Sequence, residues 1–213
     1  GRERSELPAW AALPALLAPV AMIGGWTLAA ARQSSFDPVL ETISALAAST
    51  ASDPWIMTAG LALTGVAHVG AAVALRGLPS PARAVHALGG LATAAVAALP
   101  VDVLPSAHGI AAGIGFGALA LWPALASAGA RTPSRRRLSR SVALGTSAVL
   151  TGLVLVFVAE LQGLTPDAGA ATGLAERAAA GAQSLTPLLV MAAIRRGRAG
   201  CGRRLRADRI TAV

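Results

Sequence analysis

The run Val149–Glu160 reads "VLTGLVLVFVAE", and its first charged side chain is the glutamate that ends it. It sits inside Ser141–Leu161, a segment of the length needed to cross a bilayer core, about 20 apolar residues. The whole chain shares this character. Of its 213 residues, 54% are hydrophobic and 13% charged, and the mean hydropathy is +0.62. A soluble domain of this length lacks the interior volume to hide so much apolar surface, so the sequence predicts a membrane-embedded, all-α protein.

Five further segments approach the same length. With Ser141–Leu161 they give six expected transmembrane helices: Pro8–Ala31, Pro54–Leu75, Ala82–Leu99, His108–Ala128, Ser141–Leu161 and Gly173–Ile194. The first is preceded by "RER" and followed by "AAA", in the manner of a signal peptide. It is too long for a typical signal h-region and is read as a span. Together the spans form one helical-bundle domain, and residues 195–213 form a basic tail.

All 18 basic residues are arginine. They gather at Arg2 and Arg4, at Arg76 and Arg83, in "RTPSRRRLSR" (131–140), and in the tail from Arg195 to Arg209. In a six-span chain these segments share one side, leaving Arg32 and Arg177 near the other, so both termini are expected in the cytoplasm. The arginines flank apolar runs and lack interleaved aromatics, which argues for orientation in a plasma membrane and against nucleic-acid binding. The acids show the opposite bias: Asp37, Glu41, Asp53, Asp102, Glu160, Asp167 and Glu176 fall at or near the outer face. The one cysteine, Cys201, excludes an intrachain disulfide framework and a cysteine metal site.

Three of the acids share the first outer connector, "SSFDPVLETISALAASTASDPW" (Ser34–Trp55). "DPVLETISALAAS" predicts a short amphipathic helix with Asp37 at its N-cap and Pro38 at N1, lying flat on the outer mouth through Ile43 and Leu46. Asp53–Pro54 repeats the device before the second span. Capping explains both aspartates as well as catalysis does. Glu41 is harder to assign to structure, because it lies four residues past Asp37 on one helical face, where two carboxylates repel.

Other ionisable groups converge on that level. "LPVDVLPSAHG" (Leu99–Gly109) places Asp102 in a short outer loop and His108 in the first turn of the fourth span. Glu160 closes the fifth span, and Glu176 with Arg177 opens the sixth. Ion pairing and interfacial solvation account for several of these, Asp167 outright. His68 is central in the second span, where an ionisable side chain is expensive and faces the bundle interior. His86 reads as structural. No dinucleotide fingerprint, P-loop, HExxH or GxSxG is present, and neither cofactor nor metal is expected. The glycines of "GIAAGIGFGA" (109–118) read as small residues for close helix packing.

The order "FDPVLETISALA", "DPWIMTAGLALTG", "LPVDVLPSAHGIAAGIGFGALAL" and "GLAERAAAGAQSL" resembles the domain-of-unknown-function 998 family of bacterial six-helix membrane proteins. The resemblance spans nearly the whole chain and implies the six-span fold. In size, hydropathy and its rim of acids the chain is also similar to small bacterial membrane-bound terpene cyclases.

Two functional expectations follow. The first is proton-initiated cyclisation of a lipophilic prenylated substrate drawn from the bilayer, using a carboxylic acid kept protonated by burial and a neighbouring carboxylate. Asp53 or Glu41 would donate the proton within a set including Asp37, with His108 or Asp102 tuning it or accepting the final proton. Trp26, Phe36 and Trp55 would face a carbocation, and His68, Glu160 and Glu176 would line the substrate site. The second is a non-enzymatic membrane protein, a small transporter, sensor or accessory subunit, because the same intramembrane polar residues mark ion pathways.

Overall fold

The computed structural model describes residues 7–127 and 138–210, with side chains of the last helix described as far as Arg195. Arg2, Arg4 and residues 131–137 of the arginine-rich connector lie outside the described residues. Among the described residues the fold is all-α, with six α-helices in order: α1 Ala12–Ala30, α2 Trp55–Ala74, α3 Ser80–Ala97, α4 Pro105–Leu125, α5 Arg140–Leu161 and α6 Thr172–Ile210. Short 3-10 turns at Ala9–Ala11 and Ser44–Ala47 complete the described regular structure. Each helix coincides within a few residues with one of the six expected segments, except that α6 continues as helix through most of the basic tail.

Each helix packs on its sequence neighbours, and α6 also packs on α1, so the six close into a ring. Four stretches among the described residues are long and apolar enough to cross a membrane: Ala9–Ala30, Trp55–Ala74, Pro105–Leu125 and Arg140–Leu161. They mark the chain as a membrane protein. Large apolar side chains face outward on every helix, from Leu13 on α1 to Leu189 on α6, as expected where lipid replaces water.

Small residues set the tightest contacts. A Cβ on Gly65 of α2 would lie 2.6 Å from the Gly90 carbonyl oxygen and the Ala94 nitrogen of α3. Gly25 of α1 and Gly60 of α2 meet in the same way, each Cβ falling 3.2–3.3 Å from the other residue's Cα. Backbones approach this closely only where no side chain intervenes, so α1–α2–α3 form the dense wall of the ring. The core beneath the mouth contains Met22, Met57 and Leu61 from these helices, joined by Ile43 and Leu46 from the first connector.

That connector departs from expectation. No α-helix forms over Asp37–Ser49; the chain makes one turn at Pro38–Leu40 and then the 3-10 turn Ser44–Ala47. An α-helix would bond the Ile43 N–H to the Val39 carbonyl. Here α6 takes both partners: Ile43 N–H donates to Glu176 Oε2, and the Val39 carbonyl accepts the Leu174 N–H at 3.1 Å. The segment consequently plugs the mouth and does not lie flat on it, with Ile43 2% and Leu46 0% exposed.

Candidate functional site: a buried polar cluster above an apolar groove

Beneath the plug, α4, α5 and α6 leave open space. A groove of about 430 Å³ runs between Gly109, Gly113 and Gly117 on α4 and Val154, Phe157, Val158 and Leu161 on α5. A Cβ on any of those three glycines would meet nothing within 4 Å. The expectation that they pack helices closely is therefore corrected: Gly115 contacts α3, while its three neighbours open a trough. Eight residues of helical rise make that trough about 12 Å long. A smaller cavity of about 50 Å³ leads inward, past Gln183 and Thr93, to His68. Ser44, Phe116 and Glu176 line both spaces.

Three polar side chains stand at the end of the trough next to the plug. Glu176, 5% exposed, accepts the Ile43 N–H through Oε2 at 2.5 Å. His108 Nδ1 lies 2.7 Å from the Leu99 carbonyl oxygen, and its Nε2 lies 2.9 Å from Ser44 Oγ. A carbonyl only accepts, so Nδ1 carries the proton; in the neutral ring Nε2 is then the acceptor and the Ser44 hydroxyl donates to it. The local sequence explains the placement. Pro105 opens α4 at its first turn and sets His108 one turn in, where it reaches back to the end of α3.

The other acids named from sequence have different partners. Asp53 is not an N-cap: its backbone is left-handed (φ 51°) and its Oδ2 accepts from Arg32 Nε at 2.9 Å. That hydrogen bond holds the Asp53 carboxyl below its ordinary range. Asp37 Oδ1 accepts the Val39 N–H at 2.8 Å, and Glu41 reaches back to the Asp37 N–H at 2.8 Å, which removes the expected repulsion along a helix face. Asp53 is thus paired with Arg32, while Asp37 and Glu41 share one turn of the connector. Asp102 accepts from the Ser49 hydroxyl and N–H, which lower its carboxyl in turn and tie the α3–α4 connector to the plug. Glu160, 9% exposed, accepts the Ala171 N–H at 2.9 Å and fastens the start of α6.

Among the aromatic residues, Trp26 packs against the core, Trp55 is exposed, and Phe36 lies under the Arg177 guanidinium at 5.3 Å. None of the three lines either cavity. Arg177 Nη1 is spent on the carbonyls of Pro38, Glu41 and Gly173. His68 is wholly buried, with Nδ1 3.0 Å from His86 Nε2, and His86 stacks on Trp122 at 4.2 Å. His68 Nε2, His86 Nδ1 and Trp122 Nε1 find no hydrogen-bond partner among the described residues. Of the residues singled out in the sequence, Glu176, His108 and His68 line the cavities. Ser44 and the glycine trough went unnoticed, although the i, i+4, i+8 spacing of Gly109, Gly113 and Gly117 is visible in the sequence.

A family model described as "Protein of unknown function (DUF998)" matches residues 16–193, which takes in α2 to α5, most of α1, the first part of α6 and the whole cluster. The chain belongs to the DUF998 family. No curated protein and no solved structure matches it. The likeness of this DUF998 chain to membrane-bound terpene cyclases therefore rests on its size, hydropathy and acids alone.

Proposed function

We propose that this DUF998 protein crosses the bacterial plasma membrane six times with both termini in the cytoplasm, and that it binds a lipophilic prenylated molecule in the α4–α5 groove and cyclises it by acid initiation. The observation that carries this reading is Glu176, a buried carboxyl that lines both cavities at the polar end of an apolar trough. Exposed leucines on α3 and α6, Leu91 at 61% and Leu189 at 63%, support all six helices facing lipid. The arginine distribution supports the orientation.

In this reading the substrate's chain lies along Gly109–Gly117 and its reacting double bond sits beneath the plug. Glu176 gives a proton to the alkene carbon, the cation is captured within the ring as a new C–C bond forms, and His108 Nε2 accepts the proton lost at the end. Phe116 and Phe157, whose rings lie 5.3 Å apart, offer π faces to the cation in place of Trp26, Phe36 and Trp55. The acid is thereby assigned to Glu176, because the Arg32 hydrogen bond favours the ionised form of Asp53.

Incubation of membranes with prenylated aromatic substrates in deuterated water tests this. A cyclised product carrying one solvent deuteron, absent with Glu176→Gln, is the expected result; no conversion by folded protein across the panel contradicts it. A binding-only reading, as a sensor or accessory subunit, draws on the Glu176–Ile43 bond, since the same carboxylate fastens the plug. Retention of substrate without conversion would favour it.

A further inference from the structure

The hydrogen bonds at the mouth give one group a role that acid-initiated cyclisation does not use. We propose that Ser44 is a nucleophile activated by His108, and that the same groove admits a long-chain acyl ester whose carbonyl is attacked at Ser44 Oγ. The inference rests on the groove as a lipophilic site and is independent of cyclisation.

Nucleophilic serine chemistry requires a hydroxyl bonded to a base whose far side is oriented by a third group. Ser44 Oγ lies 2.9 Å from His108 Nε2, and the Leu99 carbonyl holds His108 Nδ1–H at 2.7 Å. The orienting acceptor fixes the tautomer in which Nε2 is free to take the serine proton. The hydroxyl is placed where a substrate can reach it, since Ser44 lines both the trough and the inner cavity. His108 is 6% exposed, which shields the pair from bulk solvent. The trough beyond is apolar over about 12 Å, suited to an alkyl chain, and its polar end coincides with the dyad.

The step balances within the protein and its substrate. As Oγ bonds to the acyl carbon, the hydroxyl proton passes to Nε2. The tetrahedral adduct then breaks its bond to the alcohol oxygen, which leaves carrying that proton. Water or a second hydroxyl, deprotonated by Nε2, attacks the Ser44 acyl ester; as the bond to Oγ breaks, Nε2 returns that proton to Oγ and the acid or a new ester is released. Neither oxidant nor metal is consumed.

The test treats the full-length protein in membranes with a long-alkyl fluorophosphonate, followed by peptide mass spectrometry. The expected result is a covalent adduct on Ser44 of the unaltered chain, with labelling slowed roughly 100-fold or more in His108→Gln. A parallel sample carries a photoreactive alkyl chain without the phosphonate. If that probe labels α4 and α5 while Ser44 remains unmodified, the nucleophile assignment is overturned and the groove stands; if neither probe labels the groove, both fall. Equal labelling in folded His108→Gln overturns the role of His108. Mapping the adduct on the unaltered chain requires no variant to fold.

Discussion

Glu176 and Ile43 are joined across the mouth of the bundle: the carboxyl oxygen Oε2 accepts a backbone N–H from a residue 133 positions earlier in the chain. One side chain therefore both locks the plug and faces the cavity. Its two roles separate under substitution. Glu176→Gln keeps an oxygen acceptor for the Ile43 N–H and removes the acid, so thermal stability should stay near that of the parent while turnover falls roughly 100-fold or more. Glu176→Ala strands the buried N–H and should also cost about 1–3 kcal/mol of stability. Melting curves beside product assays distinguish the two.

Glycines of different surroundings should respond oppositely. Gly113→Leu meets open space, so the bundle should fold normally and lose ligand from the trough. Gly65→Ala drives a methyl into the α3 backbone and should destabilise by about 1–3 kcal/mol or more. Denaturation in detergent, read alongside retention of a radiolabelled hydrophobic ligand, measures both effects.

Acid sensitivity should trace to the loops that carry Asp53 and Asp102. Asp53 and Asp102 have carboxyls held below their ordinary value of 3.8, by Arg32 and Ser49 respectively. A depressed folded-state pKa contributes stability above the unfolded value that is lost as pH falls through the folded one. The melting temperature should therefore decline below about pH 4, and an Asp53→Asn/Asp102→Asn variant should show a flatter profile there with a lower plateau at neutral pH. Asp53→Asn alone should leave turnover close to the parent value.

The His68–His86 pair should behave as a unit. His68→Leu leaves His86 Nε2 unpartnered in the interior, and His86→Leu does the same to His68 Nδ1. Replacing both removes the orphaned atoms together, so the double variant should be more stable than the sum of the single losses predicts, by about 0.5–3 kcal/mol. A double-mutant cycle on thermal unfolding checks it.

Much of the architecture was legible from composition and run length, because a lipid solvent demands helices of nearly fixed length. The α2–α3 crossing was not, since Gly65 and Gly90 carry no hydropathic signal. The first connector was misjudged because local rules predict a helix from Asp37–Pro38, whereas the competing partners, Glu176 and Leu174, lie far along the chain. Charge bookkeeping gathered the acids at one end of the bundle, but only tertiary structure sets Asp53 against Arg32 and buries Glu176. Ser44 was invisible for a related reason, since a serine in a polar connector acquires meaning only when His108 is brought to it from α4.

Orientation yields to a labelling experiment, because Cys201 is the chain's single cysteine. An impermeant maleimide added to intact cells should leave Cys201 unmodified until the membrane is opened. In a Cys201→Ser background, Ser52→Cys on the exposed face of the first connector should react at once.

If the α4–α5 groove, with Glu176 at its polar end, is an intramembrane ligand site, a lipophilic probe should enter it. Photo-crosslinking of the membrane-embedded protein with a diazirine-bearing prenyl probe, with adducts mapped by mass spectrometry, tests this. Adducts are expected at groove residues such as Phe116, Val154 and Phe157, and should disappear in Gly113→Leu. Adducts confined to lipid-facing positions such as Leu13 and Leu155, unchanged by that substitution, would contradict it.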